Sequence, residues 1–567
     1  MKMSENKITK HFVSINNRRL HYHRCGAGPV LVLLHASACS AKVMRPHILY
    51  FSRDFTVMAP DTPGFGLSDQ LSIEEVTTED LADALLEAIN ILGIKEISVY
   101  GRHTGAQIAV EFAARHPERC AMVLTDGFPT YSMEERKRRL ENYLPPIVPT
   151  FDGAHLIWLW FRYREQHVFW PWNAQSDDKR ADANVPDLDF LHRGVVEMLE
   201  AGDGYRIGYA TAYRHRGLDV VNDLKVPVCF GGRPGDSQGH TPDMMPEGTW
   251  IQKFDRDKNE AMKLEREILL KNIPQGYAPD APLCKPITGR STTNYINING
   301  SQILIRTFGD WTASTPLVIL HQLPGSSTLY EYLICRLGNA VPVIAFDMPG
   351  HGESEELQTN VQTIDSWSNT LLSVLTTLNV NSCHLYGHNG GGAVAAQFAI
   401  HHPDRVAGLI FDAPVYFNKS KCKDWVDKWL DGVESVNPSW DGSHLLRIWH
   451  MRRDMGIWWP WFEKSHHHKR QHLNIEPGRI NLEVREFLKQ PYNFLSSWRA
   501  VIHFEMIEKI LTIKQRKLFI CAKDDLFEPC FGEFLNADLR LTAFEIDAEE
   551  SHRASHIVNF IQNSRSD

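Results

Sequence analysis

The sequence predicts two consecutive α/β domains, each a mostly parallel sheet flanked by helices and carrying a helical, Trp-rich insert. Three observations lead to this fold class. The chain has 567 residues, more than one compact core usually holds. Its motifs recur at a nearly constant offset. Short β-branched runs alternate with Ala- and Leu-rich helical stretches, the rhythm of parallel sheets with helices on both faces.

The repeat is read from matched motifs. His35 ends the apolar run PVLVLLH, and His321 ends PLVILH, so the offset is 321 − 35 = 286. DTPGFGLSD at Asp61 matches DMPGHGESE at Asp347 with the same offset. DGAHL and WPW in the first half match DGSHL and WPW in the second, with an offset of 289. An offset that moves by three residues over so long a stretch indicates a tandem duplication.

These matches set the expected domain limits. The first domain is predicted at 1–271, the second at 292–567, and a linker rich in Pro and Gly at 272–291. Each domain is predicted to carry a cap, a helical insert over the carboxyl edge of its sheet, at about 127–223 and about 413–511. The two domains are expected to pack as a pseudo-dimer.

Composition excludes several classes of protein. The chain is 43% hydrophobic with a net charge of −9, and no basic stripe suggests a nucleic-acid partner. The cysteines form no CxxC pair, and MKMSENKITKHF lacks the apolar core of a secretory signal. The apolar runs are too short to span a membrane. We therefore expect a cytoplasmic protein without a membrane partner.

The order of the motifs resembles the α/β-hydrolase fold. A strand ends in His, a D-x-P-G-x-G turn follows, and a strand–GxxxG–helix precedes the cap, in both halves. The resemblance implies a nucleophile elbow, a sharp turn that exposes the middle residue of G-x-S-x-G. Here that residue is His103 in GRHTG and Asn389 in GHNGG, so the attacking hydroxyl is absent from both halves. Each replacement is either inert or a ligand contact, and His103 could also exchange protons.

The resemblance also implies the other catalytic groups. In the second half Asp525 follows the acid-bearing strand, and His552 falls where the family's histidine sits; His556 competes but lies within a predicted helix. In the first half the internal alignment puts Met262 in the histidine position, and the acid strand offers only Asp236.

Backbone amides supply the remaining parts that the resemblance implies. The oxyanion hole would use Ala36 and Thr104 in the first half, and Gln322 and Gly390 in the second. Asp126 and Asp412 are alternative acids, whereas His35 and His321 fit structural roles better.

The caps carry matched aromatic and basic residues: Trp160 with Trp449, and Arg164 with Arg453. Packing between cap helices explains most such aromatics. The same residues would also suit an apolar or aromatic small-molecule substrate, with an arginine for a carboxylate. The run His466–His468 has no further ligand at metal spacing, so neither a metal nor a cofactor is expected.

Two functions remain open. The first is general-base hydrolysis of an ester, lactone or C–C bond, or a lyase reaction, mainly in the second half, with His552 as base and Asp525 as its partner. The second is a non-catalytic ligand-binding or scaffold protein. The missing serines favour the second function; the predicted His–Asp pair favours the first.

Overall fold

A computed structural model describes residues 7–357, 362–417, 427–430, 436–537 and 542–563. The chain forms two compact units. One comprises Met1–Val148 and Trp158–Lys285, and the other Pro149–Ile157 and Pro286–Asp567. The short segment Pro149–Ile157 thus packs with the second unit, although the predicted limits assign it to the first domain.

Each unit contains an eight-stranded sheet of the predicted class. In the first the strand order is β1-β2-β4-β3-β5-β6-β7-β8, and in the second β9-β10-β12-β11-β13-β14-β15-β16. These strands are β1 Thr9–Ile15, β2 Arg18–Cys25, β3 Val30–Leu34, β4 Thr56–Pro60, β5 Ile97–Arg102, β6 Cys120–Asp126, β7 Val228–Gly232, β8 Trp250–Lys253, β9 Thr292–Ile298, β10 Ser301–Phe308, β11 Leu317–Leu320, β12 Val343–Phe346, β13 Cys383–His388, β14 Val406–Asp412, β15 Lys517–Ala522 and β16 Thr542–Ile546.

Only the first two pairings of each sheet are antiparallel, β1 with β2 and β2 with β4, and likewise β9 with β10 and β10 with β12. The remaining pairings are parallel. Every residue of β3 is buried, as expected for a central parallel strand covered on both faces.

The helices surround the sheets and build the caps. They are α1 Arg45–Phe51, α2 Thr78–Ile91, α3 Thr104–Arg115, α4 Met133–Asn142, α5 Ala154–Glu165, α6 Leu188–Ala201, α7 Tyr205–Arg214, α8 Lys258–Leu269, α9 Glu331–Gly338, α10 Ile364–Thr377, α11 Gly391–His401, α12 Ser443–Met455, α13 Pro477–Leu488, α14 Phe494–Ile502, α15 Met506–Thr512, α16 Glu528–Ala537 and α17 Glu550–Gln562. A capping box of Thr77 and Asp80 starts α2 by satisfying free amides of its first turn.

The predicted cap inserts are helical. Helices α4–α7 lie between β6 and β7, and α12–α15 lie between β14 and β15. Within the part of the chain that the structure covers, no helix has both the length and the apolarity needed to cross a membrane.

Candidate functional site

The predicted elbows are two equivalent sharp turns between a strand and a helix. His103 separates β5 from α3 and has φ 49° and ψ −115°. Asn389 separates β13 from α11 and has φ 46°. Positive φ is unfavourable for residues other than glycine and is typical of strained functional turns. The serine is therefore replaced without loss of the turn that would expose it.

Flanking glycines permit this turn. A Cβ on Gly105 would lie 2.3 Å from the Leu34 carbonyl oxygen, and one on Gly391 would lie 2.2 Å from the Leu320 oxygen. Any side chain at these positions would force the helix away from the neighbouring strand. The GxxxG pattern is thus required by packing, whichever residue occupies the middle position.

In the first half, the elbow histidine binds the carboxylate that follows β7. His103 Nε2 lies 2.8 Å from Asp236 Oδ1 and 3.0 Å from Oδ2. Arg102 also contacts Asp236, at 3.2 Å. Burial alone would raise the pKa of the Asp236 carboxyl, but His103 and Arg102 outweigh it and hold that pKa well below its ordinary value. Asp236 is therefore a carboxylate that accepts from the imidazole, whose side chain is 26% exposed.

In the second half the equivalent carboxylate, Asp525, binds the elbow and the residue before it. Its Oδ2 lies 2.9 Å from His388 Nε2, and its Oδ1 accepts from the Asn389 amide at 3.2 Å. Asn389 also donates to the Ala413 carbonyl at 2.9 Å. Burial opposes ionisation, yet His388 holds the pKa of Asp525 well below its usual range. Both N–H donors of the Asn389 side chain are thus used within the fold.

The expected pairing of His552 with Asp525 is not formed. The expectation put His552 in a loop, but β16 ends at Ile546 and α17 begins at Glu550, so His552 lies in the first turn of a helix. Its side chain is 52% exposed, and its Nδ1 lies 3.5 Å from Asp547. Met262, aligned with it, is buried in α8. Asp236, the only acid predicted for the first half, is the carboxylate that contacts the elbow histidine His103.

The oxyanion amides differ between the halves. The Gln322 amide donates to the Tyr330 hydroxyl at 2.9 Å, and this hydroxyl lies 2.6 Å from His388 Nδ1. The Tyr330 hydroxyl thus lies where the predicted oxyanion hole of the second half would hold a substrate oxygen. Among the described residues, the Ala36 and Thr104 amides of the first half have no hydrogen-bond acceptor. Met44, which aligns with Tyr330, carries no hydroxyl to fill that hole.

The cavity above Asn389 is very small, about 20 Å³, close to the space of a single water molecule. Its walls are largely apolar and consist of Gln322, Leu323, Pro324, Asn389, Met451, Arg452, Met455, Phe487, Trp498, Leu526 and Phe527. The only charged wall residue, Arg452, is bound to Glu483 at 2.5 Å and 3.0 Å. The space above Asn389 therefore has little room for a ligand.

The predicted substrate-binding residues of the second cap lie elsewhere. Trp449 is fully buried, donates to the Phe151 carbonyl at 3.3 Å and stacks edge-on against His155. Arg453 lies over the ring of Phe151, 4.1 Å from its centroid, and pairs with Asp454. Trp449 and Arg453 are four residues apart and share one face of α12, whereas Met451 and Met455 on another face line the cavity.

In the first cap the matching residues are also engaged in packing. Trp160 is buried, and Arg164 pairs with its neighbour Glu165 at 3.0 Å. A role of Trp160 and Arg164 in binding substrate stays a prediction.

The alternative acids at the ends of β6 and β14 belong to buried ion pairs. Asp126 binds Arg102 at 2.9 Å and Arg233 at 2.7 Å, and Asp412 binds Arg553 at 2.6 Å. The strand-end histidines are structural: His35 Nε2 accepts from the Thr62 amide, and His321 makes the equivalent contact with Met348.

Sequence reasoning missed Tyr330 and His388. Tyr330 lies in no recognisable motif, so nothing short of the fold reveals that it reaches the oxyanion amide. His388 directly precedes the elbow, at the position of Arg102 in the first half. A histidine beside the elbow in only one half was the sequence signal that could have identified it.

Comparisons with known proteins agree with the fold. Residues 29–181 and 315–442, together about half of the chain, match the family model of the alpha/beta hydrolase fold. A 2-(acetamidomethylene)succinate hydrolase of Mesorhizobium japonicum is 28% identical over 221 residues, 38% of this chain and 78% of that protein. A proline iminopeptidase of Heyndrickxia coagulans is 29% identical over 22% of this chain and 43% of its own length.

Other relatives match shorter segments. The (E)-2-((N-methylformamido)methylene)succinate hydrolase of Acinetobacter baylyi is 32% identical over 20% of this chain and 42% of its own length. The chain thus spans about two fifths of several curated relatives. The solved structure of an enol-lactonase from Burkholderia xenovorans LB400 has a TM-score of 0.37 at 18% identity and covers 48% of this chain and 100% of that one. By its family-model matches and its two sheets, the chain belongs to the α/β-hydrolase fold superfamily and carries that domain twice.

Proposed function

We propose that the protein is a hydrolase that acts by general-base catalysis in its first half, with His103 as the base and no acyl-serine intermediate. One observation carries the proposal: a partly exposed imidazole on the elbow, hydrogen-bonded to a buried carboxylate. In this pair Asp236 would orient His103, as the aspartate orients the histidine in a catalytic His–Asp pair. The relatives are mostly hydrolases, which supports the reaction class.

The reaction follows from which ring nitrogen is engaged. Asp236 accepts a hydrogen bond from Nε2–H, so Nδ1 of the neutral ring carries the lone pair that can accept a proton. Nδ1 would take a proton from water while the water oxygen attacks the substrate carbonyl carbon. The bond to the leaving group then breaks, and the imidazolium returns the proton to the departing oxygen, nitrogen or carbon. One water is consumed, and His103 is regenerated.

Charge develops at two places during this step. The carbonyl oxygen becomes an oxyanion, and the Ala36 and Thr104 amides are the donors available to stabilise it. The imidazole becomes a cation, and the Asp236 carboxylate beside it stabilises that charge. General-base assistance contributes about 10²- to 10⁴-fold to the rate, and one oxyanion donor about 10²- to 10³-fold.

The second half is proposed to be non-catalytic. Its elbow amide and carboxylate satisfy each other, Tyr330 fills its oxyanion position, and its cavity has room for one water. Its role would be to stabilise the protein or to complete the cap. This assignment reverses the expectation that the second half does the chemistry.

The test compares the two elbows. His103→Ala should lower kcat/KM about 10²- to 10⁴-fold on any ester, lactone or amide the protein turns over. Asn389→Ala serves as the matched control and should keep most of the activity. Both variants must melt near the wild-type temperature for the comparison to count. Full activity of His103→Ala would contradict the proposal.

The absence of an acyl-serine can be checked separately. A fluorophosphonate probe should label neither half, because neither elbow carries a hydroxyl. The nearest serines to inspect are Ser37 and Ser40; the Ser40 hydroxyl caps residues 41–44 by accepting from the Lys42 amide. A stoichiometric adduct at either would overturn the mechanism.

The alternative function is ligand binding without turnover. The filled second site favours it, because that half retains the fold with no accessible chemistry. Saturable binding of a carbonyl compound, unaffected by His103→Ala and without any hydrolysis, would establish this function instead.

A further inference from the structure

Arg162, in the cap of the first half, is a fully buried cation that forms no ion pair with any described carboxylate. Its Nη1 donates to Gln166 Oε1 at 2.6 Å. Within the described part of the chain, its Nε and Nη2 have no hydrogen-bond partner although both atoms are buried. A buried guanidinium with two unmet donors costs free energy unless something accepts from it.

The internal duplication shows which way Arg162 faces. The offset of 289 aligns Arg162 with Met451 and Gln166 with Met455, since 451 − 162 and 455 − 166 both equal 289. Met451 and Met455 line the cavity above Asn389. By equivalence, Arg162 and Gln166 lie on the face of α5 that corresponds to the cavity-lining face of α12.

The same comparison shows that this space is more polar in the first half. Tyr209 stands where Trp498 does, and Gln238 where Phe527 does. The backbone N–H of Gln238 donates to Asp236 Oδ1 at 2.8 Å, so Gln238 lies beside the carboxylate proposed to be catalytic. A polar wall with an unpartnered cation indicates a ligand that carries a negative charge.

The second half shows what an arginine in this region requires. Arg452 is equally buried, and its Nε and Nη2 bind the two oxygens of Glu483. In Arg162 the same two nitrogens, which form one side of the guanidinium fork, are unmet. At the position of Glu483 the first half has Gly194, against which Tyr163 packs. The first half therefore has the cation but lacks the carboxylate that Glu483 supplies in the second.

Aromatic rings surround the guanidinium without neutralising it. The Arg162 Cζ lies 5.3 Å from the ring centroid of Tyr143 and 5.4 Å from that of Trp172. A second buried arginine, Arg139, lies over Tyr143 from 5.7 Å, and its Nε and Nη1 are also unpartnered. Its nearest carboxylate, Glu135, is 3.9 Å away. The local charge is thus positive, inside an aromatic wall.

We propose that Arg162 is the specificity residue of the first-half site and binds a carboxylate of the substrate through Nε and Nη2. The substrate class is a small carbonyl compound with a free carboxylate, and an apolar or aromatic part would pack on Tyr143 and Trp172. This inference rests on the proposed function for the reaction, but the binding itself does not depend on His103.

The test is calorimetric titration of the full chain with benzoate and succinate, and with benzamide as the uncharged analogue. At least one carboxylate should bind the wild type more tightly than benzamide does. Arg162→Met, which installs the second half's residue, should weaken carboxylate binding about ten- to a hundredfold. Arg206→Met, which removes a half-exposed arginine of the same cap paired with Asp203, should not.

Folding controls keep the test decisive. Arg162→Met should melt at or above the wild-type temperature, because it removes an unpaired buried charge. If it fails to fold, Arg162→Lys replaces it and should also weaken binding, since an ammonium lacks the fork. Equal affinity in either Arg162 variant, or no carboxylate binding to the wild type, would overturn the inference. His103→Ala should bind carboxylates normally, so loss of turnover with intact binding separates the two proposals.

Discussion

The two halves of the chain share a strand order, an elbow and a buried acid after the seventh strand, but they use that acid differently. In the first half Asp236 binds an imidazole that remains partly exposed, whereas in the second Asp525 binds an amide and a histidine inside the fold. The difference teaches that the same elbow turn and acid can hold either a partly exposed imidazole or an amide bound within the fold. The elbow side chain differs between the halves, His103 against Asn389, and so does the residue at the first oxyanion amide, Met44 against Tyr330.

The caps differ in the same direction. The second closes over its elbow with Met, Phe, Trp and Leu and neutralises Arg452 internally. Among the described residues, the first cap holds the buried Arg162, whose Nε and Nη2 have no hydrogen-bond partner. Leaving these donors unmet costs free energy, and a negatively charged ligand would recover it.

The largest expected difference between the halves is in turnover. Asp236→Asn should lower kcat/KM about 10²- to 10⁴-fold, because the imidazole loses both its orientation and the stabilisation of its cation. Asp525→Asn should leave kcat/KM within a few fold. Steady-state kinetics on the folded variants measures both, and a larger loss with Asp525→Asn would return the chemistry to the second half.

The next effect is on stability. Glu483→Gln should lower the free energy of unfolding by about 3–5 kcal/mol, because it leaves the buried Arg452 guanidinium without its carboxylate. Arg162→Met provides the contrast, since its side chain has no such partner to lose. Urea denaturation of the two variants checks the difference. A negligible loss with Glu483→Gln would show that the ion pair is not what secures the second cap.

A smaller effect concerns pH, at equivalent glutamates of α6 and α13. Burial raises the pKa of Glu197 to about 7. Because the folded state holds that proton longer than the unfolded state, Glu197 costs stability as pH rises from about 4.5 to 7. Burial also opposes ionisation of Glu486, but Lys489 and Arg485 lower its pKa to about 2. Glu486 therefore adds stability above about pH 4.5, and that contribution is lost as pH falls towards 2.

The corresponding amides should act with opposite signs. Glu197→Gln should stabilise the protein by up to about 3 kcal/mol at pH 8 and by less near pH 5. Glu486→Gln should destabilise it by up to a similar amount at pH 7. Unfolding at several pH values measures both. The same sign for both variants would contradict the difference in local charge.

Much of the fold could be predicted from sequence, since the offsets of 286 and 289 come from motifs that packing fixes. For example, neighbouring carbonyl oxygens leave no room for a side chain at Gly105 or Gly391. These glycines therefore mark the elbows, and the elbow positions could be predicted from them. His552 was predicted in a loop, but only three residues separate the end of β16 at Ile546 from the start of α17 at Glu550. The error arose because strand and helix ends are the features least predictable from sequence.

The site residues of the caps were missed for a different reason. Sequence comparison selected residues that the halves share, such as Trp449 and Arg453, and these prove to be packing residues. Arg162 differs from its counterpart Met451, and it was therefore overlooked. Where a duplicated domain has kept function in one copy, the informative positions are those at which the copies disagree.

The most direct test of the account exchanges the elbow residues. We expect His103→Asn to abolish turnover and the added Asn389→His not to restore it, because the Tyr330 hydroxyl binds the Gln322 amide and the cavity above Asn389 is only about 20 Å³. The measurement is kcat/KM of the single and double variants, each shown to be folded. Wild-type turnover by His103→Asn, or recovery in the double variant, would contradict the claim that the working acid–base group belongs to the first half alone.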